Sequence, residues 1–365
     1  MNNDILKLYV NKKLMNNSGM SYIPLLFPFF GPILKESTPY VSEVFKKYNF
    51  DKRYYDIVDD INTADFVLLP YNYGNIKLNN PLLLDEFVNE AKINKKPILI
   101  TAYAYGDSNK MINIENACIL RSSQYRSKLS SKDIIIPAYT EDLLESYCGG
   151  VIEIRNKTET PMIGFAGYAG QKSIKASLKA IFKEIPVFFI SIFNKKYLTR
   201  QKGIFLRKKA IKILNKSISV KTNFIIRKFY SGHLKTINGN VKDIRNDFIA
   251  NMINSDYALC VKGDGNFSYR FYEALSLGRI PLFVDTECVL PLENTINYKE
   301  FCVFVDAHDL YKIDKIIKRF HDNISDEQFR VMQKKARETF EKYLRMDVFT
   351  KYLVDELNTF LLHKK

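Results

Sequence analysis

Short apolar runs alternate with longer amphipathic segments over the first 155 residues. A chain that alternates in this way forms a parallel sheet whose two faces are covered by helices. The apolar runs predict strands at Leu6–Val10, Phe66–Leu69, Pro97–Thr101, Ala117–Leu120 and Ile134–Ile136. The amphipathic segments predict helices at Ser37–Tyr48 and Leu82–Lys92.

Polar segments follow several of these predicted strands at their C-terminal ends. In a parallel α/β sheet, ligands bind beyond those ends. The segments are Tyr71–Gly74, Tyr103–Asp107, Arg121–Tyr125 and Tyr139–Asp142. Their Tyr, Asp and Ser residues suit a ligand with many hydroxyl groups, although strand-to-helix loops are polar in proteins of every function. Both interpretations remain open.

A second alternating set begins after Gly149, Gly150 and the polar segment 155–160. It starts with a predicted strand, Met162–Ala166, which leads into the glycine turn Gly167–Gly170. The chain ends in predicted helices at Leu310–His321, Asp326–Leu344 and Asp347–Leu362. We therefore predict an α/β protein with two doubly wound, Rossmann-like domains that face each other across a cleft. The predicted domains are 1–155 and 156–345, and a helix in 346–365 is expected to pack back on the first.

The stretch 256–290 carries the clearest local signal for a binding site. It predicts a strand at Tyr257–Val261, a glycine turn at Gly263–Gly265, a helix at Tyr269–Leu277 and a strand at Ile280–Val284. Backbone N–H groups at the start of a helix after such a turn can hold an anion. The sequence therefore predicts that a phosphorylated ligand binds here.

Two side chains of the predicted helix strengthen this interpretation. Arg270 and Glu273 are three residues apart and share one helical face. A guanidinium can grip a diphosphate through two N–H bonds, and the carboxylate can accept hydrogen bonds from two ribose hydroxyls. The alternative is an Arg–Glu pair on a solvated helix face. The residues expected to bind the phosphorylated ligand are Lys262, Gly263, Asp264, Gly265, Asn266, Ser268, Arg270 and Glu273.

At these residues the chain resembles a known family. The segment 268–282, SYRFYEALSLGRIPL, resembles the signature of the exostosin glycosyltransferases. The segments 64–70, 132–137 and 301–305 are similar to other parts of that family's pattern, in the same order. The chain departs from the pattern at Arg279, where many members have Cys, and it has no histidine near Asp107.

The resemblance implies the GT-B architecture, with acceptor binding in the first domain and nucleotide-sugar binding in the second. It implies inversion at the anomeric carbon, for which a base deprotonates the acceptor hydroxyl. Asp107, Asp142 and Glu141 are candidate bases by their expected place in the cleft, and Arg207 is expected to reach the diphosphate by its position relative to the family. The expected reaction moves a sugar from a nucleotide-diphosphate sugar, with a uridine diphosphate sugar as the expected donor, to a hydroxyl of a glycan or lipid-linked glycan.

No Asp-x-Asp motif follows an apolar strand, and no Cys or His residues cluster at metal-ligand spacing. The departing diphosphate must then be neutralised by Arg, Lys and helix N-terminal amides. We therefore expect no metal and no cofactor, in agreement with the metal-independent catalysis that the GT-B resemblance implies. The substrate donor itself is the only small molecule expected at the site besides the acceptor.

The formal net charge of +15 suits nucleic acid, an anionic membrane surface or acidic small substrates. The Lys-, Asn- and Ile-rich composition is typical of A+T-rich genomes and accounts for part of the charge. The basic tract 195–228 is either a solvated helix face, a source of phosphate ligands or a membrane-facing surface. A basic nucleic-acid-binding protein and a non-catalytic sugar-nucleotide-binding protein are the alternative functions, but no nucleic-acid-reading motif is present, so no specific nucleic acid is expected.

The expected location is the cytoplasm, with association at the membrane periphery as an alternative. Five cysteines without C-x-x-C spacing are typical of free thiols in a reducing compartment. No secretory signal is recognised at the start. The apolar segment Tyr22–Leu34 is shorter than the ~20 residues of a membrane-spanning helix and contains three prolines. It is interpreted as a buried loop, or else as an exposed lip that contacts membrane or a lipid-linked acceptor.

Overall fold

The computed structural model describes residues 5–15, 20–31, 41–103, 111–170, 195–230 and 234–363. Its strands form two sheets, and all strand pairs within them are parallel. The first sheet contains β1 (Leu6–Tyr9), β2 (Tyr55–Val58), β3 (Phe66–Leu68), β4 (Ile98–Ala102), β5 (Ala117–Arg121) and β6 (Asp133–Ile135). The second contains β7 (Met162–Tyr168), β8 (Lys221–Arg227), β9 (Tyr257–Cys260), β10 (Ile280–Asp285) and β11 (Val303–Asp306).

Helices cover both sheets. The described α-helices are α1 (Lys12–Met15), α2 (Phe27–Phe30), α3 (Val41–Lys47), α4 (Tyr73–Asn79), α5 (Pro81–Ile93), α6 (Leu143–Tyr147), α7 (Gly203–Lys216), α8 (Val241–Ile253), α9 (Tyr269–Ser276), α10 (Ile313–Asn323), α11 (Asp326–Thr339) and α12 (Met346–Leu362). Two parallel sheets with alternating helices confirm the predicted two-domain α/β fold of the GT-B class.

The first sheet has the strand order β2-β1-β3-β4-β5-β6. Every residue of β3, β4 and β5 is buried, which explains why these central strands read as continuous apolar runs. The strand β2 has no such run, because it lies at the sheet edge and only Tyr55 is buried in it. For that reason the apolar pattern did not predict it.

The second sheet has the strand order β11-β10-β9-β7-β8. Its first strand in the chain, β7, has β8 on one side and β9 on the other, so the direction of strand progression reverses between β7 and β9. A crevice forms at such a point beyond the carboxyl ends of the strands, and ligands bind there in open α/β sheets. The outer strand β8 lies inside the basic tract, and Arg227 is its only buried residue.

The last helix connects the two halves. The predicted helix Asp326–Leu344 is α-helical to Thr339 and continues as one π-helical turn, Phe340–Leu344. The helix α12 then packs Phe349, Leu353 and Leu357 into the apolar core of the first sheet. The chain therefore crosses back to the sheet with which it began.

A second set of contacts joins the loop after β5 to the loop after β10. Tyr125 forms an antiparallel bridge with Cys288, and the Val289 N–H donates to the Gln124 carbonyl at 3.2 Å. The Arg126 guanidinium pairs with Glu293 at 2.8 Å. These bonds set the position of the first sheet beside the carboxyl edge of the second.

The apolar segment near the N-terminus is largely internal. Residues 22–27 are buried, whereas Phe30 at the end of α2 is 38% exposed. The Tyr22 hydroxyl donates to the Phe30 carbonyl at 2.8 Å and closes the segment on itself. This favours the buried-loop interpretation for the described part, while residues 32–34 lie outside the described residues. None of the helices described is both long enough and apolar enough to cross a bilayer.

Candidate functional site

The unit from β9 to α9 places its turn at the carboxyl edge of the second sheet, next to the crevice between β7 and β9. Ser268 is the N-cap residue of α9, but its side chain makes no capping hydrogen bond. Gly278 ends the unit with φ +63°, and a Cβ there would collide with Ile152, so glycine is required. The local pattern therefore predicted this unit to within one residue at each boundary.

Arg270, on the first turn of α9, reaches across to β7. Its Nη2 donates to the Ala166 carbonyl at 2.6 Å, and its guanidinium lies 4.2 Å from the centre of the Phe165 ring. A Cβ at Gly167 would lie 2.8 Å from Nη2, so any other residue at this point of β7 would displace the end of the arginine side chain. The Nε of Arg270 is buried and has no hydrogen-bond partner among the described residues. Burial lowers the pKa of this guanidinium.

Arg207, on α7, lies beside Arg270. Its Nη1 donates to the Tyr168 carbonyl at 2.7 Å and its Nη2 to the Lys262 carbonyl at 3.2 Å. Close approach of the two elements is needed here, because a Cβ at Gly203 would overlap the Lys262 carbonyl. Burial, and then the charge of Arg270, lower the pKa of Arg207 to about 10. The buried Nε of Arg207 also lacks a partner among the described residues.

Three arginines and two aromatic rings form an alternating row, which we call the arginine row. The Arg207 guanidinium lies 5.8 Å from the centre of the Phe165 ring, which Arg270 also contacts. The Phe248 ring lies 5.5 Å from the Arg270 guanidinium and 5.4 Å from that of Arg245. Guanidinium groups interact favourably with aromatic faces, so the rings hold three like charges in one row.

The two ends of the arginine row differ in charge balance. Arg245, on α8, donates to Glu273 and to Glu141, each at 2.9 Å. Burial acts to lower the pKa of Arg245, but the two carboxylates outweigh it and the pKa is raised. At the other end, Arg207 and Arg270 donate only to carbonyls, and no described carboxylate forms an ion pair with either. Within the described residues, Asp264 and Glu273 attract this end only at longer range, so its positive charge has no carboxylate in direct contact.

Several residues predicted to bind the ligand have other partners. Asn266 is fully buried and its amide joins the Gln124 and Thr286 carbonyls, so it holds the loop rather than a ligand. The Lys262 ammonium donates to the Tyr125 hydroxyl at 2.8 Å and to the Thr199 carbonyl at 2.6 Å. Lys262 therefore contributes its carbonyl to Arg207 and its side chain to the contact between the two domains.

The remaining predicted ligand-binding residues lie in or beside the turn. Gly263 donates its N–H to the Phe267 carbonyl at 3.1 Å, and Asp264 is exposed at the tip. Gly265 is packed so closely against the Phe267 ring that a Cβ would lie 2.9 Å from it. Ser268 is buried at the start of α9. The glycines thus allow a tight turn that brings the helix start to the crevice.

Asp142 does not fit its predicted role as a base. Its side chain is completely buried, caps α6 by accepting from the Glu145 N–H, and pairs with Arg337 at 2.6 Å. A carboxylate held by a buried guanidinium and closed off from solvent cannot take a proton from an acceptor. Glu141 is likewise held, by Arg245. Asp107 lies outside the described residues.

Comparison with known proteins agrees with the signature around Arg270. The Exostosin GT47 domain matches residues 130–320, which is more than half of the chain. The chain belongs to the exostosin GT47 family. This confirms the resemblance seen in the sequence.

Curated relatives of the family match shorter segments. Exostosin-1 of Drosophila melanogaster is 28% identical over 99 residues, which is 27% of this chain and 12% of that protein. A probable glucuronosyltransferase of Oryza sativa subsp. japonica is 34% identical over 70 residues, 19% of this chain and 16% of that protein. The chain therefore matches less than a fifth of the length of either relative.

Several solved structures share a general likeness of shape. HepE of Anabaena, solved with UDP and glucose, is 9% identical with a TM-score of 0.40, covering 98% of this chain and 100% of that one. A glycosyltransferase of Rickettsia africae is 11% identical with a TM-score of 0.40, covering 98% and 99%. The fold assignment rests on the two parallel sheets rather than on these scores.

Proposed function

We propose that this protein is a glycosyltransferase that moves a sugar from a UDP-sugar to a hydroxyl of a glycan or lipid-linked glycan, with inversion and without a metal. The observation that carries the proposal is the pair Arg207 and Arg270 at the crevice between β7 and β9. Both guanidinium groups are desolvated, and no described carboxylate forms an ion pair with either, although Asp264 attracts Arg207 and Glu273 attracts Arg270 at longer range. An anion at this point supplies the missing counter-charge.

A diphosphate suits this pair better than a single carboxylate does. Each arginine already uses one or both terminal nitrogens on backbone carbonyls, which fixes the plane of the guanidinium. Further N–H groups of each remain for phosphate oxygens, and charge-assisted hydrogen bonds of this kind contribute about 1.5–3 kcal/mol each. The start of α9 adds backbone donors, because the Ser268 side chain caps none of its amides and, among the described residues, only the Phe271 N–H of the first turn is bonded, to the Ser268 carbonyl.

Glu273 is placed to hold the ribose. Arg245 donates to Oε1, and the structure shows no described donor to Oε2. The side chain is 13% exposed, and in this proposal Oε2 is the oxygen that faces the ligand. A carboxylate in this state accepts hydrogen bonds from ribose hydroxyls. The choice of uracil as the base is carried over from the family resemblance.

In the proposed reaction the acceptor oxygen attacks the anomeric carbon from the side opposite the diphosphate. The bond between that carbon and the diphosphate oxygen breaks, its electron pair leaves with UDP, and the acceptor proton passes to a base. Arg207 and Arg270 stabilise the negative charge that develops on the departing diphosphate. Asp107 remains a candidate for the base, because Asp142 and Glu141 are engaged by arginines.

The described residues contain no group of three or more His, Cys, Asp or Glu side chains arranged to hold a metal. In this proposal, two guanidinium groups take the place that a divalent ion has in metal-dependent transferases. The arginine row supports metal independence as part of this proposal, and a chelator experiment tests it directly. Residence in the cytoplasm, at or near a membrane surface, belongs to the same proposal.

Turnover of a panel of nucleotide sugars tests the proposal. The protein is incubated with UDP-, GDP- and CDP-sugars, with and without EDTA, and the release of each nucleotide is followed by chromatography. We expect slow hydrolysis of at least one UDP-sugar, unchanged by EDTA. If the protein neither binds nor hydrolyses any nucleotide-diphosphate sugar, the proposed function is wrong.

A further inference from the structure

A buried chain of alternating charges connects the proposed ribose-binding carboxylate to the first domain. Glu273 lies on α9, Arg245 on α8, and Glu141 in the segment between β6 and α6. Their side chains are 13%, 7% and 5% exposed, so burial deepens away from the crevice. Arg245 contacts both carboxylates at 2.9 Å, each through a different terminal nitrogen.

In this geometry Arg245 orients the two carboxylates that it contacts. A planar guanidinium that spans two carboxylates fixes the direction of both, because its donors are rigidly spaced. Phe248 packs on one side of the guanidinium at 5.4 Å, and the Tyr147 ring lies at 5.8 Å. Tyr147 also donates to Glu141 at 3.4 Å. Arg245 is therefore held from several sides, and it holds the Glu273 carboxylate in turn.

We propose that Arg245 is a positioning residue for ribose recognition: it fixes Glu273 so that Oε2 faces the ligand, and it links this carboxylate to Glu141 of the first domain. The proposal rests on the proposed function, because it takes the ligand to be a nucleoside diphosphate. It goes beyond that function in assigning a residue that does not touch the ligand. It also makes ribose recognition sensitive to the position of the segment before α6.

The surrounding contacts separate this role from binding of the phosphates. The guanidinium groups of Arg245 and Arg270 are different groups that share a contact with the Phe248 ring, at 5.4 Å and 5.5 Å from its centre. Loss of the two forked N–H donors of Arg245 should therefore change the orientation of Glu273 and leave Arg207 and Arg270 in place. A purely structural role of Arg245 would instead weaken binding of every ligand alike, or of none.

Calorimetry with three ligands distinguishes these roles. The ligands are UDP, 2′,3′-dideoxy-UDP and inorganic diphosphate, and the proteins are the wild type and Arg245→Lys. The wild type should prefer UDP to its dideoxy analogue by about tenfold or more, since hydrogen bonds to a charged acceptor are lost. In Arg245→Lys this preference should fall to about threefold or less, because lysine cannot span both carboxylates. Binding of inorganic diphosphate should stay within about twofold.

Two further variants complete the test. Adding Arg245→Lys to Glu273→Gln should cause no further loss of preference, because both changes act on one carboxylate. Arg279→Lys is the matched control: Arg279 is a buried arginine of the same domain that donates to backbone carbonyls, and this variant should keep the wild-type preference.

The outcomes are separable. An unchanged preference in folded Arg245→Lys overturns the positioning role while leaving the proposed function intact. Equal binding of UDP and its dideoxy analogue by the wild type overturns the ribose role of Glu273 and with it this proposal. Failure of the wild type to bind UDP overturns the proposed function itself. If Arg245→Lys does not fold, Glu141→Gln removes the other anchor, and a preference that falls supports the proposal whereas an unchanged one refutes it.

Discussion

Replacing Arg270 by alanine removes the guanidinium at the centre of the arginine row. In the folded protein this group donates one N–H to the Ala166 carbonyl, and its buried Nε has no partner within the part of the chain that the structure describes. At least two charge-assisted hydrogen bonds to a diphosphate are therefore lost, each contributing about 1.5–3 kcal/mol. Of this interaction energy, only the share that is larger in the transition state than in the bound donor changes kcat. Loss of one oxyanion donor costs roughly 10²–10³ in kcat, and we expect a decrease of that size.

The substitution Arg270→Lys separates charge from geometry. An ammonium can reach either the Ala166 carbonyl or a phosphate oxygen, but it cannot bond both in the forked manner of arginine. We expect Arg270→Lys to recover only part of the lost kcat. Both variants should remain folded, because Arg270 forms no ion pair with a described carboxylate, and its loss therefore leaves none of these without a contacting cation.

The assay measures donor turnover together with UDP binding by calorimetry, and circular dichroism checks the fold. Lys209→Ala is the matched control, since Lys209 is an exposed basic residue on α7 and its loss changes the net charge by the same amount. UDP at about 100 times Kd should stabilise the wild type by ~2.7 kcal/mol against unfolding and stabilise Arg270→Ala much less. Wild-type turnover and UDP affinity in a folded Arg270→Ala protein would refute the placement of the diphosphate at the arginine row.

Three further predictions follow from the same contacts. Glu273→Ala should raise the donor KM about tenfold or more with a smaller change in kcat, because ribose contacts persist from ground to transition state. An unchanged KM would show that Glu273 does not bind the ribose. Transfer should survive EDTA, and complete loss that Mn²⁺ restores would show that the arginines do not replace a metal. The free energy of unfolding should fall as the pH drops below about 6.5, by at most ~1.4 kcal/mol per pH unit, because burial lowers the pKa of His321 and the unfolded chain takes up the proton first. Thermal unfolding of His321→Gln should lack this dependence on pH. If the variant shows the same dependence, another group causes it. In the fold, His321 contacts the Tyr257 hydroxyl at 2.9 Å and the Thr158 carbonyl at 2.6 Å, and the neutral ring suits both.

Periodicity alone predicted the central strands of both sheets, because a strand buried on both faces must be apolar throughout. It did not predict the outer strands β2 and β8, whose side chains are mostly accessible. The glycine turn and the shared helical face of Arg270 and Glu273 are local features, so the sequence identified them correctly as neighbours on one helix. Their roles in catalysis and binding stay predictions.

Tertiary structure decided which polar residues face the crevice. Asp142 and Asn266 follow predicted strands as a ligand-binding residue would, yet Asp142 meets Arg337 from 195 positions away and Asn266 meets Thr286 across the loop. Arg245 had no local signal, because its partners lie on α9 and before α6. Spacing along one helix or strand determines which side chains share a face. Whether a polar side chain binds a ligand or pairs with another buried residue depends on segments that are distant in the sequence. The reason is that a desolvated charge needs a counter-charge, and the packing of those segments determines which one lies within contact distance.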